Sequence, residues 1–453
     1  MADDRFYVKS LTLENFRCFD KAELGPFDPH FNLIVGENGA GKSSILVALA
    51  DLFRQFGSPE LNGPGKSLIG REDARLEHWL GVDGVTTIKP HLGGVVWAKF
   101  QWNKNEWIAS SYVSDPNPFA AGNHREVVNN PSMPGLLFRP GLNTRAQIAD
   151  EPLTLILCYT VRRNFIGSLA ASTDAFDNSL IRLGALANWE NAGVNSSALR
   201  EWLKDQTLAE LQRFQRASVT GSAVENSRLF NQLRAVLKAV EVAVEDVAAF
   251  EYDHNRHDTV VQWQSGLRQD FLTMSDGQRM MIGLIADIVR RVCQLNAAFL
   301  GEKTLLETPG LVLIDEIDLH LHPKWQRQIV PALKTIFPKI QFFATTHSPQ
   351  VIGECQPKEI VLLTKDGRQE RPPGSFGMDS NWILECVMDA EGRDPEIAKR
   401  IKSLFDLIDD DRLEEAKAEI RKLREELPDL APDIIAAETY IWNLEHTGDE
   451  AAE

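Results

Sequence analysis

Residues 31–44 read FNLIVGENGAGKSS, and the fold turns on how they are read. Leu33, Ile34 and Val35 form the apolar run of a buried strand. Gly36 to Ser43 then fits GxxxxGK followed by Ser or Thr, and the apolar stretch from Ser44 to Phe53 continues as a helix. That order of strand, glycine turn and helix is what a phosphate cradle needs. Glycines let backbone N–H groups wrap an anion without Cβ clashes. The helix N-terminus adds roughly half a positive charge at the same point. Gly36, Asn38, Gly39 and Gly41 shape the cradle, and Ser44 opens the helix. Lys42 reaches the β- and γ-phosphates of ATP, and the Ser43 hydroxyl ligates Mg²⁺.

Working outward, the chain has 453 residues, which calls for one large domain with insertions or for two to three units. Hydrophobic residues make up 43% and charged residues 25%, an ordinary globular balance. The net charge of −17 argues against a surface that clings everywhere to nucleic acid or anionic membrane. It leaves room for a basic partner. Cys18, Cys158, Cys293, Cys355 and Cys386 are scattered, with no CxxC pair, so neither a disulfide framework nor a zinc site is expected. The start, MADDRFYVKS, lacks an apolar signal core, and no apolar run reaches about 18 residues. A cytoplasmic protein without a membrane span is the expectation.

Residues 6–16 alternate as a strand, and Lys21–Leu24 follows as a second. Arg17 lies on the turn between them, placed to flank the base or ribose of a nucleotide. Residues 54–84 read as a connection with a short helix near Arg71–Leu80. Val95–Asn103 and Glu106–Val113 read as a hairpin. Trp97, Trp102 and Trp107 read as its packing residues. The Pro-rich stretch 114–147 reads as a long, mobile loop. Leu153–Tyr159 is a buried strand that runs into Arg162-Arg163. From Ala185 to Val244 the spacing turns helical, with Trp189, Leu199, Trp202, Leu208, Leu211, Phe214, Leu233, Val236 and Leu237 as core positions. A hairpin spanning Val247–Tyr252 and Thr259–Trp263 follows. Its histidines, His254 and His257, read as solvated rather than metal-binding.

The other half of the nucleotide site lies far along the chain. Ser275-Asp276-Gly277-Gln278 opens an amphipathic helix, Met280–Gln294. Leu311–Ile314 is a buried strand that delivers Asp315 and Glu316 at its C-terminal end, where open α/β sheets place ligands. Asp315 is placed to hold Mg²⁺ through water, and Glu316 to polarise the attacking water. Asp318 lies one loop further on. Ile340–Ala344 is the next strand, closed by Thr345-Thr346-His347, and His347 can contact the γ-phosphate.

In this order the motifs resemble the ABC-type ATPase heads: P-loop, Ser-x-Gly-Gln signature, Walker B ending in Asp-Glu, D-loop Asp and switch His. The expected fold is therefore α/β: a mixed sheet with the P-loop, an antiparallel β subdomain and a helical insertion, plus a C-terminal α-helical tail. The expected divisions are 1–165, 166–246, 247–367 and 368–453. The resemblance implies that Ser275, Gly277 and Gln278 of one head cap ATP on another, so that ATP clamps a head-to-head dimer or higher oligomer. It also makes Asp318 a nucleotide-site residue. Met274 replaces the commoner Leu before the signature, and Gln101 is a Q-loop candidate by strand position.

Segments SDGQR, TPGLVLIDEIDLHLHPKWQRQIVP, FPKIQFFATTHSPQVI and SFGMDSNWILECVM look like the PtuA-type ATPases of Septu and retron antiphage systems. That likeness implies a separate HNH-type nuclease, PtuB-like, as partner, with nuclease activity only in that chain. A retron reverse transcriptase and its RNA–DNA element are further implied partners, with nucleic acid reached through the complex. Cys158-Tyr159-Thr160-Val161-Arg162-Arg163 departs from the family's Tyr-Tyr ending at this strand. The tail reads as three helices, Pro395–Ile408, Leu413–Leu427 and Pro432–Leu444, with acids outnumbering bases about two to one. It is either a solvated face or a dock for a basic partner. The competing reading is a DNA-repair or chromosome-associated ATPase, SMC- or RecF-like, that clamps DNA itself.

Overall fold

The computed structural model describes residues 6–54, 76–80, 86–90, 95–102, 105–112, 152–161, 185, 192, 196–220, 232–364, 366–390, 394–427 and 431–446. The chain opens with β1 (Tyr7–Phe16), β2 (Phe19–Leu24), β3 (Phe31–Gly36) and α1 (Lys42–Arg54). Strands β4 (Leu76–Leu80), β5 (Thr86–Pro90), β6 (Val95–Trp102), β7 (Asn105–Tyr112) and β8 (Leu155–Tyr159) follow. Next come α2 (Ser196–Thr220), α3 (Gln232–Ala243), β9 (Val247–Asp253), β10 (Asp258–Trp263) and β11 (Arg268–Asp270). The second half of the site is carried by α4 (Asp276–Leu300), β12 (Gly310–Ile314), α5 (Pro323–Ile336) and β13 (Ile340–Thr345). Strands β14 (Ile360–Leu363) and β15 (Gln369–Glu370) complete the sheets.

The central sheet has the order β15-β14-β3-β13-β12-β8. From β14 to β8 its pairings are parallel, and β15 joins the edge antiparallel. Strands β8, β12 and β13 are buried at every residue, and β3 at all but its last, Gly36. Largely apolar runs of this kind, here with Asn32, Gln341 and Thr345 as the buried polar exceptions, belong to a parallel sheet covered on both faces. The order puts β13 between β3 and β12, so the ends of these two distant strands lie on either side of the end of β13.

A second, antiparallel sheet has the order β2-β1-β6-β7. On β1 the buried residues are Val8, Leu11, Leu13 and Phe16, with a register shift between Val8 and Ser10. The hairpin of β9 and β10 and the hairpin of β6 and β7 lie where the sequence puts them.

Two expectations are corrected. Leu76–Leu80 is a strand rather than the end of a helix, because it pairs antiparallel with β5 from Leu76↔Pro90 to Leu80↔Thr86. Cross-strand hydrogen bonding decided its state, and local propensity did not. In α2, Leu208 and Leu211 are 39% and 46% exposed, not core. The buried side chains described on α2 are Leu199, Trp202 and Leu203, all in its first turns. Val236 is buried on α3, and Leu233 and Leu237 pack against the same core. The expected loop 114–147, Arg71, Trp189, Arg162 and Arg163 lie outside the described residues, as do the side chains of Trp97, Gln101, Trp102, Trp107 and Phe214.

By density of contacts the chain forms two units, residues 1–388 and 389–453. The second holds α6 (Pro395–Asp409), α7 (Leu413–Glu426) and α8 (Pro432–His446). Asp394 caps the first of them, accepting from the N–H groups of Glu396 and Ile397, with Pro395 at the first helical position. Its core is a stripe from each helix, including Leu404 and Ile408, Ile420 and Leu423, and Ile434 and Ala437.

Candidate nucleotide site

The P-loop turn leaves β3 at Gly36 and enters α1 at Lys42. Gly39 and Gly41 adopt φ of +85° and +98°, where a side chain is strained. At Gly41 space forbids one as well, since a Cβ would stand 2.4 Å from the Phe19 ring and 2.7 Å from Cys18 Sγ. Gly36 has a packing role, because a Cβ there would meet the Leu363 carbonyl of β14 at 2.8 Å. It is not among the residues that line the cleft.

Lys42 is buried, and its ammonium donates to the carbonyls of Gly36 at 2.8 Å and Glu37 at 2.9 Å. Burial pushes its pKa below the ordinary lysine value, against the opposing pull of Asp315, Glu316 and Asp318. The lysine thus waits within the turn, next to three carboxylates, where a phosphate would replace the carbonyls as its acceptor.

Strand β12 carries Asp315 to the same place. Its Oδ1 accepts from Ser43 Oγ at 3.1 Å and from Thr345 Oγ1 at 2.7 Å, and its N–H donates to the Tyr159 carbonyl at 2.8 Å. Glu316 follows with φ of +50°, a left-handed conformation that costs a non-glycine residue about 1–2 kcal/mol. Its N–H donates to Thr345 Oγ1 at 2.7 Å. Asp318 Oδ1 accepts from Thr346 Oγ1 at 2.5 Å.

These residues meet in a cleft of about 310 Å³. Asn38, Gly39, Gly41, Lys42, Ser43 and Ser44 line one side, and Asp315, Glu316, Thr345 and His347 the other. Arg17 and Cys18 line it from the turn after β1. Arg17 is left-handed at φ +50°, with its guanidinium 5.8 Å from the centre of the Phe16 ring. Burial pushes the Cys18 thiol up.

The donor set fits a hard cation. Ser43 Oγ and Asp315 Oδ1 are 3.1 Å apart. A hydroxyl and a carboxylate beside a glycine cradle are residues that would suit a magnesium–phosphate group.

Ser275, Gly277 and Gln278 are not among the residues lining this cleft. Ser275 caps α4, and with Gln278 it forms a reciprocal capping box. Gly277 is buried against the turn at His320, whose carbonyl a Cβ would approach to 2.5 Å. Asp318 is also not among the lining residues, and its Oδ1 accepts from Thr346.

Behind the cleft lies a buried ionic cluster that sequence reasoning missed. Asp287 on α4 accepts from Tyr159 Oη at 2.8 Å, Arg290 at 2.6 Å and Arg291 at 2.9 Å. Burial opposes ionisation of Asp287, but Arg291 and Arg290 outweigh it and hold its carboxyl below the usual range. Thr345 and Thr346 were also missed as site residues. Their only sequence signal is two hydroxyls directly after an apolar strand and before His347.

A parallel sheet that brings a P-loop, a paired Asp-Glu and a polar strand end into one cleft defines a P-loop ATPase head. The chain belongs to the AAA-domain ATPase family: an AAA-domain profile matches residues 10–241. A second profile, described as an AAA domain, putative AbiEii toxin, Type IV TA system, matches residues 192–353. The Retron Vc95 probable ATPase of Vibrio cholerae is 31% identical over 88% of this chain and 83% of its own length. The Retron Ec83 probable ATPase of Escherichia coli is 44% identical over 28% of this chain and 22% of its own length. The Septu protein PtuA of Bacillus mycoides is 41% identical over 21% of this chain and 13% of its own length. The match to these last two thus spans less than a quarter of each. No helix among the described residues is long and apolar enough to cross a membrane.

Proposed function

We propose that this chain binds and hydrolyses ATP with Mg²⁺, and does so as the ATPase subunit of a cytoplasmic antiphage defence complex. The observation that carries the ATPase reading is the meeting of Lys42, Ser43, Asp315, Glu316 and His347 in one cleft. The likeness to retron and Septu proteins supports the defence setting.

The chemistry follows from the residues present. Backbone N–H groups from Asn38 to Ser44 bind the phosphates, and Lys42 exchanges its carbonyl partners for phosphate oxygens. Ser43 and Asp315 hold the metal, which when bound neutralises charge on the β- and γ-phosphates. Glu316 accepts the proton of the attacking water, and His347 donates to the γ-phosphate. Arg17 flanks the ribose or base. Ser275, Gly277, Gln278 and Asp318 act across a head-to-head dimer and complete the site of the opposing chain. In this reading residues 1–165 and 247–367 are the two lobes, 166–246 the helical insertion, and 368–453 the dock for a basic HNH-type nuclease.

The test is to purify the chain with the products of its neighbouring genes, and to assay ATP hydrolysis and metal-dependent nuclease activity. The reading expects turnover by this chain, and a nuclease that is lost when the residues after Gly392 are removed. A chain that purifies alone and clamps DNA when ATP is added would replace it with the SMC- or RecF-like reading.

A further inference from the structure

Strand β13 is the element between the P-loop strand and the Asp-Glu strand, and its last residue is Thr345. The side chain is 1% exposed, yet it reaches the cleft lining. A hydroxyl has a single hydrogen to give. Thr345 gives it to Asp315 Oδ1 at 2.7 Å, the same oxygen that accepts from Ser43. Its lone pair takes the Glu316 N–H at 2.7 Å. Its backbone carbonyl takes the Ile317 N–H at 2.9 Å. One residue therefore holds three consecutive residues of the Asp-Glu turn. The middle one is Glu316, whose left-handed backbone persists only where its surroundings over-determine it.

We propose that Thr345 is the positioning residue of this site: its hydroxyl aims Asp315 at the metal and fixes the turn from which Glu316 reaches the attacking water. The proposal rests on the ATPase reading above and assigns a role to a side chain outside its catalytic set. The geometry explains why a hydroxyl residue ends the strand directly after its apolar run of Phe342, Phe343 and Ala344. A valine at 345 would fill the same space and leave both the Asp315 oxygen and the Glu316 N–H without this partner.

The test compares Thr345→Val, which keeps the shape, with Thr345→Ser, which keeps the hydroxyl. For each, binding of a fluorescent ATP analogue is titrated against Mg²⁺, and kcat and KM for ATP are measured. Losing an outer contact to a metal ligand typically weakens metal affinity or activity by about 10–100-fold. The expected result for Thr345→Val is a Mg²⁺ requirement raised about tenfold or more, with binding recovered at saturating Mg²⁺. Its kcat should fall with KM nearly unchanged, and Thr345→Ser should stay close to the wild type on every readout. A Thr345→Val curve that overlays the wild type would overturn the proposal. So would a loss of nucleotide binding that no Mg²⁺ concentration restores, since that marks a purely structural role. If the wild type binds Mg²⁺ and ATP but does not turn over, hydrolysis is wrong and the Mg²⁺ titration still decides Thr345. A wild type that binds no ATP rejects both.

Discussion

In the larger unit Asp287 is 1% exposed and takes hydrogen bonds from Tyr159, Arg290 and Arg291. In the tail, Arg412 pairs with Glu415, and Lys417 with Glu414 and Glu445, at the surface, while Arg400 pairs with the exposed Glu426 and the half-buried Glu419. The same charges do different things in the two places. Buried, they join the end of β8 to α4, and each needs the others, because a lone charge there has no water to turn to. At the surface water competes for every partner, and the tail depends on its apolar stripes instead. Specific buried polar contacts accompany the unit that holds the cleft, and simple patterning suffices for the helical bundle.

Four changes test that contrast. The largest effect belongs to Glu316→Gln, which should lower ATP turnover by about 10²–10⁴-fold while ATP-driven association persists. A steady-state phosphate-release assay with size-exclusion chromatography checks both. Next, Asp287→Asn removes the counter-charge from two buried guanidinium groups and should cost about 3–5 kcal/mol in chemical denaturation. This group also predicts a pH profile. Its carboxyl is held below the ordinary value in the folded chain. Its stabilisation is therefore full above the unfolded pKa of about 4 and is lost as the pH falls through the depressed folded value. Stability between pH 6 and 8 should not vary on its account, and the variant should lack this part of the acid loss. Leu404→Ala, in the core of the tail, should cost about 2–5 kcal/mol in a thermal melt. Nucleotide affinity should be unchanged. The smallest effect is expected for Arg400→Ala, a melting temperature close to that of the wild type at moderate salt. A large loss there would break the contrast between the two units.

The parallel strands were legible because β12 is apolar throughout and β3 and β13 are largely so, with Asn32, Gln341 and Thr345 as buried polar exceptions, and such runs are buried on both faces. Lys42, Ser43, Asp315, Glu316 and His347 were legible for a related reason. Each sits where one of these strands ends, and parallel sheets bind ligands at those ends. Thr345 was not legible as a clamp, because its role depends on β13 lying between β3 and β12, and strand order is not a local property. Asp287 was hidden in the same way, with Tyr159 128 residues distant in the chain. Leu208 and Leu211 show another limit. Helical spacing reports which face is apolar, and it does not report where the partner surface stops. Ser275 and Gly277 carry visible reasons to be what they are within the chain, as cap and close contact. Their proposed role toward ATP calls for a second copy.

The most direct test of the central claim is an equilibrium titration of the purified chain with ATP in Mg²⁺, repeated with Asp315→Asn. The claim is that one site is built from two halves, with Ser43 and Asp315 272 residues apart. The account predicts one nucleotide per chain, and affinity in Mg²⁺ weakened at least about tenfold by the substitution. Equal affinity in the two proteins, or no binding by the wild type, would contradict it.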